Sequence, residues 1–389
     1  MLYLDTARLG QITPTAHRAL RDITEFNAEF GASVLFDDLL HGGVQALPDH
    51  VRHRYAGLQS WSGISETRRI IRQFVGSENS RIALSSRTSE LMAVAARLQF
   101  SRCRRVLVTD LTWPAYEHAL QHQAEKRGGK IEVVSLRASI HEDGKDSEQI
   151  VQQLVKRFEQ MNCDGLFLPA ISHHGVRLPV ERIVAAIRKR CDVRFVTVDA
   201  AQAAGQIDVR PLASVADFLL FGTHKWLRSF VPFGIGHYGR IESRRFIGDS
   251  IQRWIQNEQI TDPVWRFIDG GQREKFGETV NLAALFTVAG AIQDAREESR
   301  PECSSTLRRL PSPIADWQRV ETSKDLESKI VLFENKKKAE FDAELLKQRF
   351  TRQGVAVTTY AGGVVRVSLP IAGLDVESTS VLSRALEMV

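Results

Sequence analysis

Cysteine is scarce in this chain of 389 residues. Its four copies, Cys103, Cys163, Cys191 and Cys303, show none of the paired spacings of zinc sites, redox motifs or a disulfide framework, so buried or free thiols in a reducing compartment are expected. Long apolar runs are missing as well. No stretch approaches a membrane-spanning length, and the opening MLYLDTARLGQ has no basic segment followed by an apolar core, which predicts a cytoplasmic protein without a membrane partner. Repeats and low-complexity segments are absent. Excess charge is small, with 52 Lys and Arg against 47 Asp and Glu for a net +5. The clusters Arg102, Arg104, Arg105 and Lys336, Lys337, Lys338 are short and lack interleaved aromatics, so they read as solvated faces and no nucleic-acid partner is expected.

What is present is an ordinary globular composition, 43% apolar and 25% charged, on a chain longer than a single core usually supports. One large and one smaller domain are therefore expected. From about residue 80 to 240, short apolar runs alternate with longer amphipathic segments, the pattern of an α/β domain with a mostly parallel sheet. The strand candidates are Arg105–Thr109, Ile131–Leu136, Gly165–Pro169, Arg194–Asp199, Phe218–Gly222 and Ile235–Tyr238. Helices are predicted over Ser89–Phe100, Pro114–Lys126, Glu148–Gln160 and Pro179–Arg190. After Pro301, Pro311 and Pro313 a compact α+β pattern follows: a helix over Lys338–Arg352, strands Val355–Tyr360 and Val364–Leu369, and a helix over Val376–Met388. The expected division is residues 1–60 packing with the small domain, 61–290 as the large domain and 291–389 as the C-terminal small domain.

The densest chemical signal is VDAAQAAGQIDVRPLASVADFLLFGTHK, residues 198–225. Asp199 closes one apolar strand and Lys225 follows another, so both emerge at the carboxyl edge of a parallel sheet, where open α/β folds bind ligands. A lysine paired with a carboxylate in such a crevice is what pyridoxal 5'-phosphate requires. The amine makes an imine with the cofactor, and the carboxylate keeps the pyridine nitrogen protonated. Taken alone, a strand-end Lys is usually a surface charge and a strand-end Asp a turn cap.

Asp199, Gln202, Gly205, His224, Lys225, Trp226 and Leu227 together resemble the cofactor region of the class V aminotransferase family of fold-type I pyridoxal-phosphate enzymes. That family includes cysteine desulfurases, kynureninases and isopenicillin N epimerase. The resemblance implies an α/β fold in which a large domain with a mostly parallel seven-stranded sheet carries a smaller α+β domain built from both chain ends. It extends from Tyr3-Leu4-Asp5 onward and implies a role for each matching position. Ser85-Ser86-Arg87-Thr88-Ser89-Glu90 is similar to the phosphate cradle, with Arg87 where glycine is common. Thr88 and Ser89 open a helix whose free amides suit an anion, although plain capping explains such hydroxyls as well.

Trp113 stands where a ring stacks on the cofactor, and His173, in Ser172-His173-His174-Gly175, stands where asparagine usually faces the cofactor hydroxyl. The His-His pair lacks further ligands, and no metal is expected. Gly222 replaces a phosphate-binding serine, with Thr223 beside it to compensate. Thr279, in Phe276-Gly277-Glu278-Thr279, resembles the residue that reaches the cofactor of a neighbouring subunit, which implies a homodimer with active sites at the interface. Arg366, in VVRVSLP, resembles the arginine that clamps the substrate α-carboxylate, and Arg8 is a second substrate contact at the site mouth.

The resemblance implies an enzyme acting on an α-amino acid through a Schiff base on Lys225, with Asp199 and His224 as its catalytic companions. Transamination is the first reading, supported by Trp113 and by Lys225 as the obvious proton shuttle. The alternative is a lyase, epimerase or decarboxylase of kynureninase or C-S lyase type in a specialised biosynthetic pathway. A desulfurase using its own thiol is disfavoured because no cysteine follows Cys303. A binding module without turnover has no need of Lys225 together with Asp199, Gln202 and His224.

Overall fold

The computed structural model describes residues 1–31, 36–59, 61–269, 280–298, 310, 312–337 and 342–389. Strand β1 (Leu2–Tyr3) opens the chain. Helices Pro14–Phe30 and Ile64–Phe74 follow it among the N-terminal elements. Seven strands come next: β2 (Arg81–Ser85), β3 (Arg105–Thr109), β4 (Lys130–Val134), β5 (Gly165–Pro169), β6 (Phe195–Asp199), β7 (Phe218–Gly222) and β8 (Gly234–Tyr238). They form one sheet in the order β2-β8-β7-β6-β5-β3-β4, parallel except where β8 runs antiparallel to β2 and β7.

Every residue of β5, β6 and β7 is buried, which explains why these runs are apolar throughout rather than alternating. The two-residue strand period still sorts the side chains. Leu166, Leu168, Val196, Val198, Leu219 and Phe221 pack on one face of the sheet, and Phe167, Phe195, Phe218 and Leu220 on the other. The crossover helices Thr88–Arg102, Pro114–Arg127, Ser147–Gln160 and Val180–Arg188 lie within two residues or so of their expected bounds. Asp146 and Gln149 form a reciprocal capping box that starts the third of these.

Strand β4 stops at Val134, short of the expected Leu136. The Asp110 carboxylate accepts from Ser135 Oγ and from the amides of Leu136 and Arg137, which turns the chain into the helix Arg137–His141. Strand β2 was not among the sequence candidates, because only Ile82, Ala83 and Leu84 of its five residues are apolar.

The C-terminal part adds β9 (Trp317–Arg319), β10 (Ile330–Asn335), β11 (Val355–Ala356), β12 (Thr358–Tyr360) and β13 (Val364–Ser368). β12, β13, β10 and β9 form an antiparallel sheet in that order, while β1 pairs in parallel with β11. The run expected as one strand over Val355–Tyr360 thus divides at Val357 between two partners. The helix expected from Lys338 begins at Ala343, where Asp342 accepts from the amides of Glu344 and Leu345; residues 338–341 lie outside the described residues. Leu4 packs in this C-terminal core with Val355, Val365 and Leu386. Residues of the helix Pro14–Phe30 go elsewhere: Ala19, Ile23 and Phe26 join the core of the large sheet. Among the described residues no helix is long and apolar enough to cross a membrane.

Candidate active site

Because all strands but β8 point the same way, the loops after β2, β3, β5, β6 and β7 converge on one edge of the large sheet. A cavity of about 330 Å³ opens there. It gathers Thr88, Ser89, Trp113, His173, Asp199, Gln202, His224 and Lys225 from the large sheet, with Arg366 from β13 and Arg8 from the N-terminal segment. Arg87 of the cradle motif also lines it, as do Tyr116 and Ile171, to which sequence reading gave no role. Tyr116 falls one helical turn after Trp113 on a helix that starts at Pro114, so the i, i+3 spacing was its available signal.

The segment bearing Lys225 is held from several directions. Gly10 N donates to His224 O at 2.7 Å, and Arg228 N donates to Lys225 O at 3.2 Å. A Cβ on Gly10 would lie 2.1 Å from Lys225 O, so only glycine permits this approach of the N-terminal segment. Buried Trp226 donates Nε1 to Gln202 Oε1 at 2.8 Å, while Gln202 Nε2 donates to Ala7 O at 2.9 Å. The Gln202 amide therefore ties three chain segments together at the cavity wall.

Burial sets the protonation of the central pair. Asp199 is 7% exposed, and loss of solvent raises its carboxyl to about 6 despite the Ala201 amide at 2.9 Å and the nearby Lys225 charge. Burial likewise lowers Lys225 to about 8, opposed by Asp199 and aided by Arg366. His224 is lowered to about 4 and His173 to about 3, chiefly by burial, so both rings are neutral near pH 7. Trp113 is 44% exposed and meets His173 edge-on, ring centroids 4.9 Å apart.

On the large-sheet side of this wall three buried polar atoms have no hydrogen-bond partner: Thr88 Oγ1, His173 Nδ1 and His224 Nδ1. Gly222 leaves the space beside two of them open, since a Cβ there would lie 2.8 Å from Thr88 Oγ1 and 3.0 Å from His224 Nδ1. Unpaired buried polar groups are costly, and a phosphate and a heteroaromatic ring with a hydroxyl supply the partners they lack. These residues fit pyridoxal 5'-phosphate. Its phosphate would lie over Thr88, Ser89 and the first turn of the helix Thr88–Arg102, its ring against Trp113, and its aldehyde at Lys225.

One expected contact, Thr223, is not brought into the cavity. Thr223 is fully buried, with its hydroxyl accepting from Ser229 Oγ at 2.6 Å and donating to Phe233 O at 3.4 Å. Thr223 lies in the bend just past β7 with its hydroxyl turned to these partners behind the loop, so it does not stand in for the missing serine. Thr279 lies outside the described residues. Arg366 is 5% exposed and already engaged: one Nη donates to Thr358 Oγ1 at 3.0 Å and reaches Asp5 Oδ1 at 3.4 Å, and the other reaches His173 O at 3.5 Å. Its Nε is buried without a partner. Asp5 and Thr358, to which sequence reading gave no role, hold this guanidinium in place. Among the described residues, no cysteine lines the cavity, and no three His, Cys, Asp or Glu side chains gather as a metal site.

The sequence profile of the aminotransferase class-V family matches residues 49–363. A probable cysteine desulfurase from Pyrococcus abyssi (strain GE5 / Orsay) is 27% identical over 207 residues, 51% of this chain and 45% of the relative, so the match spans less than half of that protein. The solved complex between the cystine C-S lyase C-DES and its product cysteine persulfide superposes with a TM-score of 0.72 at 16% identity, over 99% of this chain and 97% of that one. Ureidoglycine-glyoxylate aminotransferase from Bacillus subtilis superposes with a TM-score of 0.67 at 15% identity, over 99% and 91%. At these identities the two superpositions concern the fold alone.

Proposed function

Because the chain belongs to the aminotransferase class-V family of pyridoxal-phosphate enzymes, we propose that it transaminates an α-amino acid, with Lys225 holding the cofactor and then carrying the proton. Bound in the cavity, the cofactor supplies the electron sink that makes the Cα proton of the amino acid removable. The chain's own residues do the rest. Asp199, kept from water, sets a negative charge where a ring nitrogen would be protonated. Arg366, on the cavity wall, would bring its guanidinium charge to an α-carboxylate, and Trp113 would shield one face from solvent. Lys225 Nζ, once free, would be the base placed to take the proton from Cα and to return it to the carbon beyond the substrate nitrogen.

The observation that supports transfer by a single base is the contrast between Lys225, held near about 8, and the cavity histidines, held near about 4 and about 3. Among the described residues Lys225 is the cavity's nitrogen base in the working range, and transamination asks for one. The test mixes the purified protein with a panel of amino acids and follows its visible spectrum. Conversion to the aminated cofactor, reversed by a keto acid, is expected; release of sulfide, alanine or ammonia without that conversion would overturn the reading.

A carbon–sulfur lyase is the second reading, favoured by the partial match to a probable cysteine desulfurase. No protein thiol would then receive the sulfur from the described part of the chain. Cys103 and Cys163 are buried, with thiols pushed up by desolvation, and Cys191 does not line the cavity. We further propose a homodimer in which Thr279 reaches the partner's cofactor. Sedimentation at micromolar concentration is expected to give twice the chain mass, and a monomer that binds cofactor fully would remove that role.

A further inference from the structure

The phosphate cradle follows β2, an edge strand of the large sheet, so its outer side has no strand to hold it. The helix Pro263–Asp269 lies against that side. Two carboxylates, one at each end of the helix, make the contact, Asp262 buried and Asp269 half-buried. Asp269 Oδ2 accepts from Leu84 N at 3.1 Å and Asp269 also pairs with Arg68. Asp262 does more. Its Oδ1 caps the helix, accepting from Val264 N at 2.8 Å and Trp265 N at 3.2 Å. Its Oδ2 accepts from Ser85 Oγ at 2.7 Å, Ser86 N at 2.9 Å and Ser86 Oγ at 2.7 Å.

Asp262 is 3% exposed and does not line the cavity. Among the described residues its five donors come from two places, the start of its own helix and the two residues that lead into Arg87, Thr88 and Ser89, with the Ser85 hydroxyl also 3.1 Å from Arg87 O. A carboxylate accepting five hydrogen bonds in a buried place holds its donors far more firmly than a neutral acceptor would. We propose that Asp262 is a positioning residue for phosphate binding: it fixes the Ser85-Ser86 turn so that the Thr88 and Ser89 hydroxyls and first-turn amides face the phosphate. This inference rests on the reading that the cavity takes pyridoxal 5'-phosphate. It also explains the two serines of SSRTSE, whose hydroxyls face the carboxylate and not the ligand.

The experiment compares binding of pyridoxal 5'-phosphate and of pyridoxal, which lacks the phosphate, to the full-length protein freed of cofactor, using visible absorbance. D262N keeps the side-chain shape but replaces one acceptor oxygen by a donor. Its affinity for pyridoxal 5'-phosphate is expected to fall roughly ten-fold or more, with pyridoxal affinity at Lys225 changed much less. S86A, which removes one hydroxyl donor and leaves the Asp262 cap intact, is expected to move the ratio the same way by a smaller factor. If D262N does not fold, S86A decides. Equal loss for both ligands, or no loss for either, would overturn the positioning role. A wild-type protein that binds neither ligand would instead show that the cofactor reading itself is wrong.

Discussion

Lys225 carries its amine where burial opposes charge, and its equilibrium near about 8 governs its readiness to react with an aldehyde. Only the neutral amine is a nucleophile. The rate of reconstitution with pyridoxal 5'-phosphate is therefore expected to rise with pH up to about 8 and level above it; a rise continuing toward the ordinary lysine value of 10.5 would contradict the burial argument. Lys225→Ala should abolish covalent attachment of the cofactor to the chain, read as the loss of a borohydride-fixed label by mass spectrometry. Arg366 illustrates a residue whose role sequence can name but not describe. Its guanidinium is braced by Asp5 and Thr358, leaving Nε as the unpartnered donor. Arg366→Lys keeps a charge but loses the planar fork, and is expected to raise the apparent substrate constant by roughly ten-fold with a smaller effect on kcat. An unchanged constant in steady-state kinetics would remove the carboxylate contact.

At the scale of elements, the loop after β7 is the most constrained part of the site. Gly222 and Gly10 are both positions where backbone approach leaves no room for a methyl group beside the groups that face the ligand. Gly222→Ala is expected to displace Thr88 or His224 and weaken cofactor binding by roughly ten-fold while leaving the fold intact, as read by titration and far-ultraviolet circular dichroism. Loss of folding, or unaltered binding, would contradict that account. Burial on both faces made the runs 105–109, 165–169 and 218–222 legible from sequence as short continuous apolar stretches, and their bounds agree with β3, β5 and β7. The same logic could not find β2, whose short apolar stretch is supported by Asp269 from 185 residues away. Nor could it tell that Thr223 turns inward, because that depends on which carbonyl and hydroxyl lie behind the loop.

At the scale of the molecule, a buried Asp–Lys pair costs stability in the absence of its ligand, and the cost has a defined pH signature. Asp199 has a folded value of about 6 against 3.8 ordinarily, so the folded state binds the extra proton and stability falls as pH rises between those values. Lys225 has a folded value of about 8 against 10.5, so the unfolded state binds the extra proton and stability rises across that second window. Between about 6 and 8 the pair contributes its full penalty. Asp199→Asn is therefore expected to stabilise the cofactor-free protein near pH 7 by on the order of 1–3 kcal/mol, and to lose that advantage toward pH 4, in urea titrations. A destabilised variant at pH 7 would refute the argument.

The wider architecture explains why the pair is kept together. The N-terminal segment pairs with β11, bonds to Ser368, and reaches His224 and Arg228, so one strap joins the small sheet to the Lys225 loop. By itself the sequence determined the α/β class, the strand-end placement of Asp199 and Lys225 and the family, since those depend on local periodicity and on motif spacing. Only the tertiary structure decided that Asp5 braces Arg366, that Thr223 faces away and that Asp262 holds the cradle. The contacts of Asp5 and Asp262 join residues distant in sequence, and the direction of Thr223 is set by packing around its loop.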